Sequence, residues 1–120
     1  MSALRAADVV AALVAALHVY VFALESLLWG RPRTSKVFKV SPEEATASKL
    51  FAFNQGFYNL FLSIAAVAGL VLPSRPLVDY AMVSVLGAGL VLFASAPRLR
   101  RLAVVQALPP VVYLALRSWR

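Results

Sequence analysis

The sequence predicts an all-α protein, an integral membrane four-helix transmembrane bundle that runs up-down-up-down. Three observations carry the prediction. Of the 120 residues, 62% are apolar and only 14% are charged, which is too apolar for a soluble domain of this length. The apolar residues form four runs near the roughly 20 residues that a helix needs to cross about 30 Å of hydrocarbon. Most of the 12 Lys and Arg residues sit in short gaps between those runs, as membrane topology requires and as a nucleic-acid-binding surface does not.

A single transmembrane domain, residues 1–120, follows, with helices at about 7–29, 42–72, 77–96 and 102–118. The first carries polar residues and lacks an Ala-x-Ala cleavage pattern behind a short apolar core, so it reads as a retained helix and not as a cleaved signal. The second has the clearest start: Ser41, Pro42, Glu43 and Glu44 occupy the N-cap, N1, N2 and N3 positions of a capping box. Its first two turns are expected at the membrane interface. Pro73, Ser74 and Arg75 leave room only for a tight connection between antiparallel neighbours, and the third helix lies between Pro76 and Pro97. The fourth contains Pro109 and Pro110, whose missing N–H groups free the carbonyls of Val105 and Gln106. A kink is predicted there, with partners for the freed carbonyls inside the protein.

Loop charge sets the expected orientation. Arg31, Arg33, Lys36 and Lys39 lie between the first and second helices, and Arg98, Arg100 and Arg101 between the third and fourth. The opposite side has Arg5, Arg75, Arg117 and Arg120. The positive-inside rule then places both cationic loops in the cytoplasm and both termini outside.

Ionisable groups are costly inside a membrane and tend to face the bundle interior at functional sites. Beyond its first turn the first helix has two, His18 and Glu25. They are seven residues apart on one face with Phe22 between them and Trp29 beyond, and the roughly 10 Å between them along the axis prevents a direct hydrogen bond. The second helix carries the densest polar run, Asn54, Gln55, Gly56, Phe57, Tyr58 and Asn59, in which Asn54 with Tyr58 and Gln55 with Asn59 are neighbours one turn apart. The fourth adds Gln106 and Tyr113 on a shared face, and the third only Ser84, Gly87, Gly89 and Ser95, a close-packing face. With the orientation above, Glu25, Asn54, Gln55 and Gln106 fall in the cytoplasmic half, and His18 and Asn59 near the midplane. The expectation is one polar cavity, open toward the cytoplasm or inner leaflet, whose ligand-binding residues are His18, Glu25, Asn54, Gln55, Tyr58, Asn59 and Gln106, walled by Phe22, Trp29, Phe51 and Tyr58. A competing reading makes Glu25 a partner of Arg31 or Arg33 and the amides interhelical glue worth about 0.6–2 kcal/mol per hydrogen bond.

Other chemistry is excluded or unsupported. Without cysteine there is no disulfide, thiolate metal site or iron–sulfur cluster, and one His without Cys, Asp or a second His makes a poor metal site. No metal, haem or other cofactor is expected. No buried Ser stands beside a base, no Gly-rich phosphate loop opens from a strand, and no carboxylates pair at depth, so no catalytic residue is assigned.

His18 with Glu25 and Trp29, the segment Lys36, Val37, Phe38 before Pro42, the run from Asn54 to Asn59, and Gln106 followed by proline together carry a resemblance over nearly the whole chain. The chain resembles a bacterial family of small inner-membrane proteins known as domain of unknown function 1304. The resemblance implies a four-helix protein of the bacterial inner (cytoplasmic) membrane and supplies no activity, substrate or site.

The leading expectation is a non-enzymatic membrane protein whose cavity binds, and moves, a small polar or amphipathic ligand, with Glu25 as the proton-sensitive group. A membrane enzyme acting on a lipid or isoprenoid, with Glu25 and His18 as acid and base, and an accessory subunit of a larger membrane complex are the alternatives. Expected partners are membrane lipids, the small-molecule ligand and a second copy of the chain; nucleic acid is not among them.

Overall fold

The computed structural model describes residues 1–119. Among them every regular element is helical, and four stretches are long and apolar enough to cross a membrane: Ala3–Leu27, Lys49–Val71, Arg75–Ser95 and Pro97–Arg117. Helix α1 (Ala3–Phe22) starts earlier than the expected position 7, because Ser2 caps it by accepting from the Arg5 N–H at 3.1 Å. It continues into a π-helical turn, Ala23–Leu27.

The connection expected to be only a cationic loop contains α2 (Pro32–Phe38), begun by proline and ended by Lys39 in the left-handed conformation, φ 55°. The expected helix at 42–72 is two helices, α3 (Pro42–Ala47) and α4 (Lys49–Val71), parted at Ser48. The capping box at Ser41 and Glu44 is formed. The break has a local cause: Ser48 Oγ donates to the Glu44 carbonyl at 2.6 Å and Thr46 Oγ1 to that of Pro42 at 3.0 Å, so hydroxyls compete with backbone amides for helix acceptors. Helix α5 spans Arg75–Ser95, a short 3₁₀ turn Pro97–Leu99 follows, and α6 runs Arg100–Arg117 as one helix across both prolines.

The four long helices pack in a ring: α1 touches α4 and α6, and α5 touches α4 and α6. The core between them is built from small side chains of α1 (Ala7, Ala11, Val14, Ala15), Ala66 of α4, Val78, Ala81, Met82 and Val85 of α5, and Tyr113 of α6. Small residues let helices approach where lipid offers no hydrophobic drive for association. At the α5–α6 contact a Cβ on Gly89 would stand 3.0 Å from the Ala107 Cβ, whereas one on Gly87 would meet open space. The close-packing face of the third long helix therefore includes Gly89 and not Gly87.

Charged groups from three helices form a clamp. Arg75 donates to Asp8 at 2.8 Å and to the Tyr113 hydroxyl at 3.0 Å; Tyr113 donates to Asp79 Oδ1 at 2.7 Å, and Arg117 pairs with the same carboxylate at 2.7 Å. The start of α1, the start of α5 and the end of α6 are thereby tied, with the Tyr113 ring fully buried. Asp79→Ala removes the acceptor shared by Tyr113 and Arg117. The expected result is a loss of about 1–2 kcal/mol of stability, read as a lower thermal midpoint of the detergent-solubilised protein by circular dichroism; an unchanged midpoint means the clamp contributes nothing.

Candidate functional site

The site grows from a polar seam between the first transmembrane segment and α4. The buried positions of α1 (Ala7, Ala11, Val14, Ala15 and His18) and of α4 (Ala52, Gly56, Ser63, Ala66 and Gly69) follow the helical repeat, mostly three, four or seven residues apart, which gives each helix one inward stripe. Polar side chains bridge the stripes at intervals. Ser63 Oγ donates to the Ala15 carbonyl at 2.8 Å, Asn59 Nδ2 donates to Glu25 Oε1, Ser26 Oγ donates to the Phe53 carbonyl at 2.7 Å, and Trp29 Nε1 donates to the Ala45 carbonyl of α3 at 2.9 Å. Gly56 is required in the middle of this seam, because a Cβ there would collide with Ser26 Oγ.

The π-helical turn positions the carboxylate. The Leu28 N–H reaches back five residues to the Ala23 carbonyl at 2.9 Å, a wider turn than an α-helix makes and one found often at functional sites. Within it two adjacent residues, Glu25 and Ser26, both reach α4. Glu25 is only 8% exposed. Its second oxygen makes no hydrogen bond, yet among the described residues no buried side-chain polar atom lacks a partner; that oxygen therefore faces open space.

That space is a groove-like cavity of about 470 Å³, open along much of its extent and bounded by Glu25 and Trp29, by Phe51, Asn54, Gln55 and Tyr58 of α4, by Phe38 and Val40 of the connecting segment, and by Arg98 and Leu99. Trp29 and Phe38 stack at 5.3 Å between ring centroids. Across the rim Arg98 donates to Glu44 at 3.1 Å, which links the segment before α4 to the one before α6.

Of the seven residues expected to bind ligand, Glu25, Asn54, Gln55 and Tyr58 line this cavity. Asn59 stands behind it as the hydrogen-bond donor to Glu25. His18 and Gln106 are elsewhere. The His18 Nδ1 is hydrogen-bonded to the Val14 carbonyl of its own helix at 2.9 Å; since a carbonyl only accepts, Nδ1 carries the proton. Gln106 donates to the Val85 carbonyl at 3.1 Å and joins α6 to α5. Of the expected wall, Trp29, Phe51 and Tyr58 are present, while Phe22 packs edge-on against Phe57 at 5.1 Å. Glu25 pairs with neither Arg31 nor Arg33, for the ion pairs among the described residues join Arg75 to Asp8, Arg98 to Glu44 and Arg117 to Asp79. Sequence reasoning did not find Phe38, Val40, Arg98 and Leu99, since none lies on a transmembrane stripe; the pairing of Glu44 with a basic loop was the one available signal. No three of His, Cys, Asp and Glu converge among the described residues as a metal site.

Two outcomes follow. Asn59→Leu strips the buried carboxylate of its donor and is expected to cost about 1–3 kcal/mol, whereas Gln55→Leu, whose side chain makes no hydrogen bond, changes thermal stability by under about 0.5 kcal/mol; equal losses would remove the distinction. Glu44 gives a pH dependence. The Ser41 backbone N–H and then the Arg98 guanidinium hold its carboxyl below the ordinary value of 4.5. Its contribution to the rim is complete above that ordinary value and is lost as pH falls through the lowered one. In Trp119→Phe protein, which leaves Trp29 as the single tryptophan, acidification below about pH 4.5 is expected to shift Trp29 emission through a transition that Glu44→Gln lacks.

Neither the curated proteins nor the solved structures offer a match to this chain. A family model described as a protein of unknown function, DUF1304, matches residues 12–117, which takes in α4, α5, the π turn and every residue that lines the cavity, and the chain belongs to that family.

Proposed function

We propose that the protein binds a small amphipathic molecule in the cavity beside Glu25 and that its movement through the membrane begins from this bound state. The observation that carries the reading is the lining itself: one carboxylate oxygen without a partner, two amides and four aromatic rings around about 470 Å³. Ligand sites are concave, mostly apolar and furnished with a few polar groups that set orientation. Interhelical glue accounts for Asn59 and Ser63, whose side chains are spent on α1. It does not account for Gln55, Tyr58 and the outer oxygen of Glu25, which are spent on nothing inside the chain.

The up-down-up-down course and the orientation belong to the same proposal. Short connections join α4 to α5 and α5 to α6, and the Glu44–Arg98 pair supports placing the two cationic segments on one side, which the positive-inside rule makes the cytoplasmic face of the inner membrane. The cavity then opens toward the cytoplasmic half.

Proton and ligand compete for Glu25 in this scheme. Arg98 is the other charged residue on the lining and is held by Glu44, and Asn59 is neutral, so Glu25 couples binding to pH, apart from the separate rim transition of Glu44. Native mass spectrometry of gently solubilised wild type is expected to show a co-purifying small molecule that dissociates as the pH is lowered. Glu25→Gln keeps an acceptor for Asn59 and should lose both the molecule and the pH dependence. A bare wild-type protein that co-purifies in fixed stoichiometry with another membrane protein would replace this reading with an accessory subunit.

A further inference from the structure

The ligand class follows from which charge the cavity leaves unanswered. Resting on the ligand-binding reading above, we infer that the cavity takes an organic cation, a substituted or quaternary ammonium joined to an apolar body.

Two charged side chains reach the lining, Glu25 and Arg98. Arg98 is answered by Glu44, an ion pair at 3.1 Å on the exposed rim. Glu25 has only the neutral Asn59 amide on one oxygen. The remaining loop cations, Arg31, Arg33, Lys36, Lys39, Arg100 and Arg101, are exposed and do not line the cavity. The net demand of the site is for one positive charge.

An anion would meet the Glu25 carboxylate with only the neutral Gln55 and Tyr58 donors to offset it. A neutral apolar guest would cover that oxygen with hydrocarbon and leave it unpaired, a costly arrangement. A cation satisfies it. The wall agrees with this choice, because Trp29, Phe38, Phe51 and Tyr58 offer ring faces, and a cation within about 6 Å of such a face is attracted by the ring quadrupole. Phe51 and Tyr58 are 77% and 65% exposed; Tyr58 meets Phe61 in an edge contact at 6.5 Å between centroids, and both keep ring surface open to a guest. A volume of about 470 Å³ admits an ammonium with an aryl or short alkyl body. A free organic cation and the ammonium headgroup of a phospholipid present the same chemistry to these residues.

The test uses three probes of one shape: benzyltrimethylammonium, its neutral carbon isostere neopentylbenzene, and the anion phenylmethanesulfonate. Each is titrated against the full chain carrying Trp119→Phe, in phosphatidylglycerol vesicles, with Trp29 emission as the readout. The expected result is saturable binding of the cation at least tenfold tighter than either analogue. Glu25→Gln should weaken it at least tenfold and Phe51→Leu, at an exposed position, at least threefold. Equal or tighter binding of an analogue, with Glu25→Gln without effect, overturns the cation inference and leaves a ligand cavity standing. No saturable response to any probe overturns both. Repeating the titration at a constant half phosphatidylglycerol, with the other half either phosphatidylethanolamine or a neutral glycolipid, separates the sources at equal surface charge: a weaker apparent affinity with phosphatidylethanolamine assigns the site to the lipid headgroup, and an unchanged one to a free cation.

Discussion

A carboxylate buried between two helices has to be satisfied before the rest of the bundle can close. Asn59 meets that need for one oxygen of Glu25, and the other bridges of the seam follow from the same registration. With Asn59 opposite Glu25, Ser63 falls opposite Ala15, Gly56 opposite Ser26, and Trp29 reaches α3. A slip of one residue would put Gly56 out of line with Ser26 and drive a side chain into it. Hydrophobic packing alone sets register poorly where the surroundings are as apolar as the core. The polar seam is what makes one alignment of α1 and α4 better than its neighbours.

The two charged clusters solve different problems. The clamp of Asp8, Arg75, Tyr113, Asp79 and Arg117 balances two carboxylates with two guanidinium groups. Its polar groups are consumed by one another, and it joins helix ends that share no polar seam. Around the cavity the balance is left open. Glu44 and Arg98 cancel at the rim, and Glu25 remains with one oxygen uncommitted. The contrast between a closed network and an open one separates scaffold from site without reference to any relative.

Much of this was legible in the sequence because a membrane leaves few options. Length and apolarity mark the four spans, and both His18 and Glu25 are buried, although the π turn that carries Glu25 breaks the regular seven-residue phase between them. Spacing says which face a residue occupies but not which neighbour covers it. His18 turns back onto Val14 and Gln106 onto Val85, contacts that depend on how much room the next helix leaves. The loop contribution was illegible for another reason: α2 is seven residues long and closes with a left-handed Lys39, and no periodic pattern tells where so short a piece will fold. Asp8 and Asp79 read as ordinary residues near helix ends, since their pairing exists only once three termini meet.

The π-helical turn at Ala23–Leu27 closes the first transmembrane segment and re-phases its last turn relative to the α-helix before it. Before it, the stripe of Ala7, Ala11, Val14 and His18 is phased to the bundle core; within it Glu25 and Ser26 both reach α4, and Trp29 just beyond it reaches α3. The turn accommodates a residue that a regular helix would have no place for, in the manner of a one-residue insertion that the fold has absorbed. Such a turn lets Glu25 and Ser26 face α4 side by side while the stripe before it keeps its alignment with α4 and α6.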